Sequence, residues 1–164
     1  MTPKEFINAV IIYDLKNVST ASAYLSFPLM AISIEFLGKC LDQGQKGWHK
    51  GKMRDDFNKA IDELEALKKY RKISKIVVRD FLYNSLRNGM CHSLIPKRGK
   101  DGWSIGLSHT DHPHVVFPGH KRIQLHAPVL YEDIKNAALE VIEKIDTNYF
   151  VKGSKMYKDI LSVS

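Results

Sequence analysis

Phe81-Leu82-Tyr83-Asn84-Ser85-Leu86-Arg87-Asn88-Gly89-Met90-Cys91-His92 decides the reading of this chain. Val78, Leu82, Leu86 and Met90 recur at fourfold spacing on one side. Ile76, Val77, Asp80, Phe81, Asn84 and Arg87 share another, which predicts a helix begun at a Ser74 cap. The helix ends on a permanent cation and an imidazole, the minimum equipment for cutting RNA without a metal. A histidine can take the proton of a ribose 2′-hydroxyl, and an arginine can hold the charge that builds on the phosphate. Asn88 can orient either group. On an ideal helix, positions five apart are turned by about 140° from one another. Arg87 and His92 therefore converge only if the helix gives way, for which Gly89 is the expected point, or if two chains pair around a composite cleft.

Upstream, Met1 to Val18 reads as a helix with Phe6, Ala9, Val10 and Tyr13 at three-to-four spacing. No charge occurs between Asn17 and Ile34, but hydroxyl residues and Pro28 interrupt the run, short of the roughly 20 apolar residues of a membrane span. A buried helix is expected from about Ser26, with Pro28 in its first turn and Met30, Ile34, Leu37 and Leu41 following. Glu35 is the only acid in that apolar helix, and its carboxylate is a candidate to hold Arg87 or His92, or else a surface residue. Gln43 to Gly51 reads as a loop. A third helix is expected over about Lys52 to Lys72, with Met53, Phe57, Ala60, Ile61, Leu64 and Leu67 as its core stripe.

Beyond Pro96 the period changes. Trp103 to Leu107, His114 to Phe117 and Arg122 to Leu125 alternate in short runs between Asp, Pro and Gly turns, predicting a small antiparallel hairpin or sheet inserted at about 97–126. A last helix spans about Tyr131 to Tyr149, and the tail through Leu161 reads as one further turn at most. Short connections between helices predict a mainly α, up-and-down bundle in a single domain over 1–164.

The chain carries 25 basic and 18 acidic residues, a net charge of +7 that favours polyanions. Two cysteines far apart suit a reducing compartment, and the cytoplasm is the expected location, with no membrane partner. Arg79 before the motif and Lys97, Arg98 and Lys100 after it are the candidate RNA-binding cations. Tyr70, Tyr83 and Trp103 could stack on bases, although Tyr83 reads better as core. Five of seven histidines fall between 109 and 126. His109, Asp111, His112 and His114 form an alternative metal set, but their spacing matches no standard hydrolase and Pro113 and Gly119 predict turns that face water. No cofactor is expected.

The run from Phe81 to His92 resembles the Arg-polar-x3-His signature of the HEPN superfamily, and the Ile32-Ser33-Ile34-Glu35-Phe36-Leu37-Gly38 helix is similar to its members. The likeness covers roughly the first 95 residues and the final helix, and leaves the strand insertion outside the common core. It implies a HEPN-like helical bundle, a homodimer that brings two motifs together, and a metal-independent endoribonuclease of toxin or defence type. An antitoxin or nucleotidyltransferase is an implied partner. Carried onto this chain, Arg87 steadies the phosphate, His92 is general acid or base, Asn88 supports them, and the products are a 2′,3′-cyclic phosphate and a 5′-hydroxyl. The same superfamily includes non-catalytic interaction and nucleotide-binding modules.

Overall fold

The computed structural model describes residues 2–41, 52–76, 80–99 and 101–147, with the side chains of 74–76 outside that set. The readings made for Gln43 to Gly51, for Val77 and Val78, and for the tail through Leu161 lie outside the described residues.

The protein is mainly helical, with one small sheet. Thr2 caps the first helix through a reciprocal pair with Glu5, and Pro3 occupies the first turn, where its missing N–H costs nothing. The helix proceeds as α1 (Pro3–Phe6), a π-helical stretch (Ile7–Asp14) and α2 (Leu15–Ala21), and it buries Ile7, Ile11 and Leu15. Helix α3 (Ala23–Cys40) is central and packs against α2, α4 (Met53–Glu63) and α7 (Ala127–Asp146). By length and composition α3 could cross a bilayer, but 56% of it is buried inside this bundle. It starts three residues before the expected Ser26, so Pro28 sits inside the helix and not in its first turn. The resulting loss is one backbone hydrogen bond, next to the solvent-exposed Tyr24.

The expected third helix is broken. Leu64 is extended (φ −83°, ψ 124°) and fully buried, and the chain resumes as a 3₁₀ turn (Glu65–Leu67) and α5 (Lys68–Ile76). The break is tolerated because Glu140 on α7 accepts from the freed Glu65 and Ala66 N–H groups, both at 2.8 Å. Ser74 lies within α5, not at the start of a helix. The motif helix starts instead after Asp80, which adopts a left-handed φ of 70° and receives Asn58 on its carboxylate.

The three strands are β1 (Ser104–Ser108), β2 (Val115–Phe117) and β3 (Arg122–His126), in the order β1-β3-β2. The sheet is mixed, not antiparallel as expected. β2 and β3 form the antiparallel hairpin, while β1 runs parallel to β3, Ile105 opposite Ile123. Alternation places strands but carries no direction, and the segment 109–121 is long enough to return the chain for a parallel pairing. Helix α7 begins directly after β3, with Pro128 in its first turn, and ends at Asp146, three residues before the expected Tyr149. Its last turn is tied to the first helix by the Lys4–Asp146 ion pair at 2.7 Å.

Candidate active site at the end of the motif helix

The motif helix runs from Phe81 through a π-helical stretch (Tyr83–Asn88) into α6 (Gly89–Ser93). Phe81, Leu82, Tyr83, Leu86 and Met90 are buried, and the Tyr83 ring meets Phe57 edge-on at 5.7 Å. Tyr83 is therefore core. Gly89 does not end the helix as expected; the stop is Leu94, in the left-handed region at φ 55°. Gly89 serves a close approach instead. A Cβ there would lie 2.5 Å from the Lys97 nitrogen and 2.8 Å from the Ile95 oxygen, so its missing side chain lets the 95–97 segment cross the helix. That crossing is fixed by a hydrogen bond from the Lys97 N–H to the Ser85 carbonyl at 3.1 Å.

Arg87 turns towards α3. Its Nε donates to Glu35 Oε2 at 2.7 Å, and Nη2 reaches the Met53 sulfur at 3.3 Å. Both side chains of the ion pair are largely covered, Arg87 being 14% and Glu35 16% exposed. Burial alone would lower the arginine's pKa, but the Glu35 hydrogen bond and charge outweigh it and hold the guanidinium above its ordinary value. The lone acid of the apolar helix is thus the partner of the motif arginine. Among the described residues Nη1 takes no hydrogen bond, and two donors remain there.

His92 faces water, and among the described residues it makes no hydrogen bond or ion pair. Arg87 and His92 are not joined within one protomer. Asn88 is half-buried, and among the described residues its side chain donates to Asn84 Oδ1, at a marginal 3.5 Å. Cys91 faces α3, its sulfur 4.0 Å from the Pro28 carbonyl; burial pushes the thiol up and the nearby Arg87 charge partly offsets this. Tyr24 donates to the Leu94 carbonyl at 2.5 Å, so the end of the motif helix is docked onto the start of α3. Leu94 and Ile95 are exposed at this junction, and α3 exposes Leu25, Leu29 and Ile32, the last two lining an apolar groove with Val10, Leu15 and Val18 of the first helix. Lys97 and Arg98 are exposed just beyond Ile95, whereas Arg79 and Lys100 lie outside the described residues.

The histidine-rich insertion is assembled differently. His114 Nδ1 accepts from the His126 N–H at 3.1 Å, which leaves the neutral ring's proton on Nε2 to donate to the Tyr70 hydroxyl at 2.6 Å. Tyr70 in turn donates to Asp133 Oδ2 at 2.6 Å, and Lys69 pairs with Asp133 at 2.6 Å. Burial first, then the Lys69 and His126 charges, lowers the His114 pKa to about 4, while burial and Asp133 push the Tyr70 hydroxyl well above its usual value. This chain of bonds fastens the sheet to α5 and α7. Tyr70 and Trp103 are buried, so neither is free to stack on a base. Nothing in the spacing of Tyr70, His114 and Asp133 announces their meeting, since they come from three separate elements.

The alternative metal set does not gather. His114 is committed to Tyr70 and His126, while His109, Asp111 and His112 are exposed, and His109 and Asp111 line a cleft of about 710 Å³ with Lys16 and Glu132. Among the described residues no group of three or more His, Cys, Asp or Glu is placed to hold a metal ion. Comparison with known proteins adds no relative: no family model matches the chain, and no match is found among curated proteins or among solved structures.

Proposed function

We propose that the chain is a HEPN-like, metal-independent endoribonuclease of toxin or defence type, acting in the cytoplasm as a homodimer without a cofactor. The observation that carries this reading is the state of the two motif residues. Arg87 is locked by Glu35 with its Nη1 donors open, and His92 stands in solvent five residues later. A guanidinium held by its inner edge is a fixed phosphate receptor, and an unencumbered imidazole is available to a substrate hydroxyl.

The roughly 140° between the two positions is bridged by a second copy. Leu94 and Ile95 are exposed apolar residues two and three positions past His92, and burying them between two protomers brings one His92 towards the other motif. In that cleft one imidazole removes the 2′-hydroxyl proton, the new 2′-oxygen–phosphorus bond forms, and the bond to the 5′-oxygen breaks. A second imidazole, protonated, returns a proton to the leaving oxygen. Arg87 neutralises the phosphorane and Asn88 supports the pair. The products are a 2′,3′-cyclic phosphate and a 5′-hydroxyl.

The exposed apolar residues of α3 favour a second reading, a non-catalytic interaction or nucleotide-binding module whose partner, an antitoxin or a nucleotidyltransferase, covers Leu25, Leu29 and Ile32. Incubation of the purified chain with single-stranded and structured RNA in EDTA separates the two. Cleavage that persists with chelator and disappears in His92→Ala supports the nuclease; a folded wild-type chain that leaves all RNA intact supports the module.

A further inference from the structure

The outer face of the sheet is built in a way that packing does not require. β3 presents Ile123 and Leu125 to the core, so Arg122 and Gln124 point outward, opposite Phe117 and Val115 of β2 and beside Ser104 and Gly106 of β1. Gly106 leaves room for the Arg122 guanidinium to lie across the sheet, since a Cβ there would collide with Gln124 Oε1 and come within 2.7 Å of Arg122 Nε. Gln124 Oε1 then accepts from Arg122 Nη2 at 2.9 Å and holds it down. Beside this flattened cation Phe117 is 41% exposed, on the strand at the sheet's edge.

More cations collect at the same end of the sheet. Ser104 donates to the Lys121 carbonyl at 2.9 Å, and Gly99 donates to the Trp103 carbonyl at 2.8 Å, folding Lys97 and Arg98 back beside the start of β1. All four cations, Lys97, Arg98, Lys121 and Arg122, are exposed, and among the described residues none forms an ion pair with a carboxylate. Among the described residues the Lys121 ammonium donates to the Asp101 carbonyl. An unneutralised cluster around an exposed ring is complementary to a chain of phosphates bearing unstacked bases. The Lys97–Ser85 hydrogen bond ties the segment that carries Lys97 and Arg98 to the motif helix, on which β1 also packs.

We propose that the outer face of the sheet is a platform for single-stranded RNA, with Phe117 stacking on a base and Arg122, Lys121, Lys97 and Arg98 holding the backbone. The inference rests on the nuclease reading only for the choice of RNA as the polyanion. The insertion then grips the strand and feeds it towards His92.

The test is fluorescence anisotropy with a labelled single-stranded RNA of about 12 nucleotides, in EDTA, on the full chain carrying His92→Ala so that nothing is cut. Phe117→Ala should raise Kd about tenfold, a base-stacking loss of typical size, and Arg122→Ala should raise it severalfold through the lost phosphate contact. Phe117→Tyr, which keeps the ring, should restore binding, and Leu139→Ala, an exposed apolar site on α7, should leave Kd unchanged. Arg122→Ala should also flatten the slope of log Kd against log salt by about 0.7, the share of one single-strand phosphate contact, which a merely structural residue would not do. Kd values that stay within twofold of the parent in both alanine variants, or equal affinity for duplex RNA, overturn the platform. An inert wild-type chain that still binds through this face retires the nuclease and keeps the platform. A wild-type chain that cuts RNA, with Kd unmoved by either substitution, does the reverse.

Discussion

His92 and His114 are the same side chain in opposite situations. His92 ends a helix in open solvent with no partner among the described residues, whereas His114 is clasped between a backbone N–H and Tyr70 and is held neutral, its pKa lowered to about 4. Histidine density is therefore a poor guide to chemistry in this chain. The insertion, with most of the histidines, spends its best-connected one on fastening a sheet, and the isolated one, five residues past Arg87, stays open to solvent. An imidazole with both nitrogens committed stabilises; one with both nitrogens open can exchange protons.

The widest separation between the two should appear in activity. His92→Ala is expected to lower RNA cleavage by at least about 10²-fold while the melting temperature stays at the wild-type value. His114→Gln should leave the turnover number unchanged; a comparable rate loss there would erase the contrast. Next comes the clamp on the arginine. Glu35→Gln keeps a hydrogen-bonding oxygen but removes the charge, and the looser guanidinium should cost roughly ten- to a hundredfold in turnover. Its stability cost should be about 2 kcal/mol, less than that of a fully buried pair. Normal cleavage in Glu35→Gln would mean that Arg87 needs no holding.

The fastening itself is probed by Tyr70→Phe, which strips the hydroxyl from between His114 and Asp133 and leaves both short of a partner. Denaturant unfolding should report a loss of about 1–3 kcal/mol with cleavage per folded molecule unchanged. The smallest effect is the pH response. Well above pH 6.5, the ordinary histidine pKa, His114 is neutral in both folded and unfolded chains and contributes no slope. As pH falls from there towards about 4, the unfolded chain takes up a proton that the native imidazole refuses, so stability declines. The loss should be no more than about 2 kcal/mol once solvent screening is allowed for. His114→Gln should flatten that part of the curve, and an unaltered profile in the variant would assign the slope to other groups.

Much of the architecture is legible along the chain because helices and strands write their burial as a period. The apolar stripe of α4 apart from the exposed Met53, the core face of α7 and the three short strands fall close to their expected places. Three features are not legible. The break at Leu64 depends on Glu140 arriving from another helix, the start at Asp80 on Asn58, and the parallel run of β1 on the return path of the chain. Each is settled by a partner tens of residues away, which local propensity cannot see. The site divides in the same way. Arg87, Asn88 and His92 are visible from residue type and position, and Glu35 from being the only acid in its helix, but that Glu35 chooses Arg87 and leaves His92 free is a matter of packing.

Residue order alone therefore supplies an inventory: which segments are helical, which are strands, a basic surface, and a cation and an imidazole at one helix end. How that inventory is used depends on folding, because the 2.7 Å bond to Glu35, the cross-chain pinning of His114 and the flattening of Arg122 over Gly106 all join residues from different elements. Periodicity is a property of neighbours along the chain, whereas ion pairs, buried hydrogen bonds and surface platforms belong to groups that meet only in three dimensions.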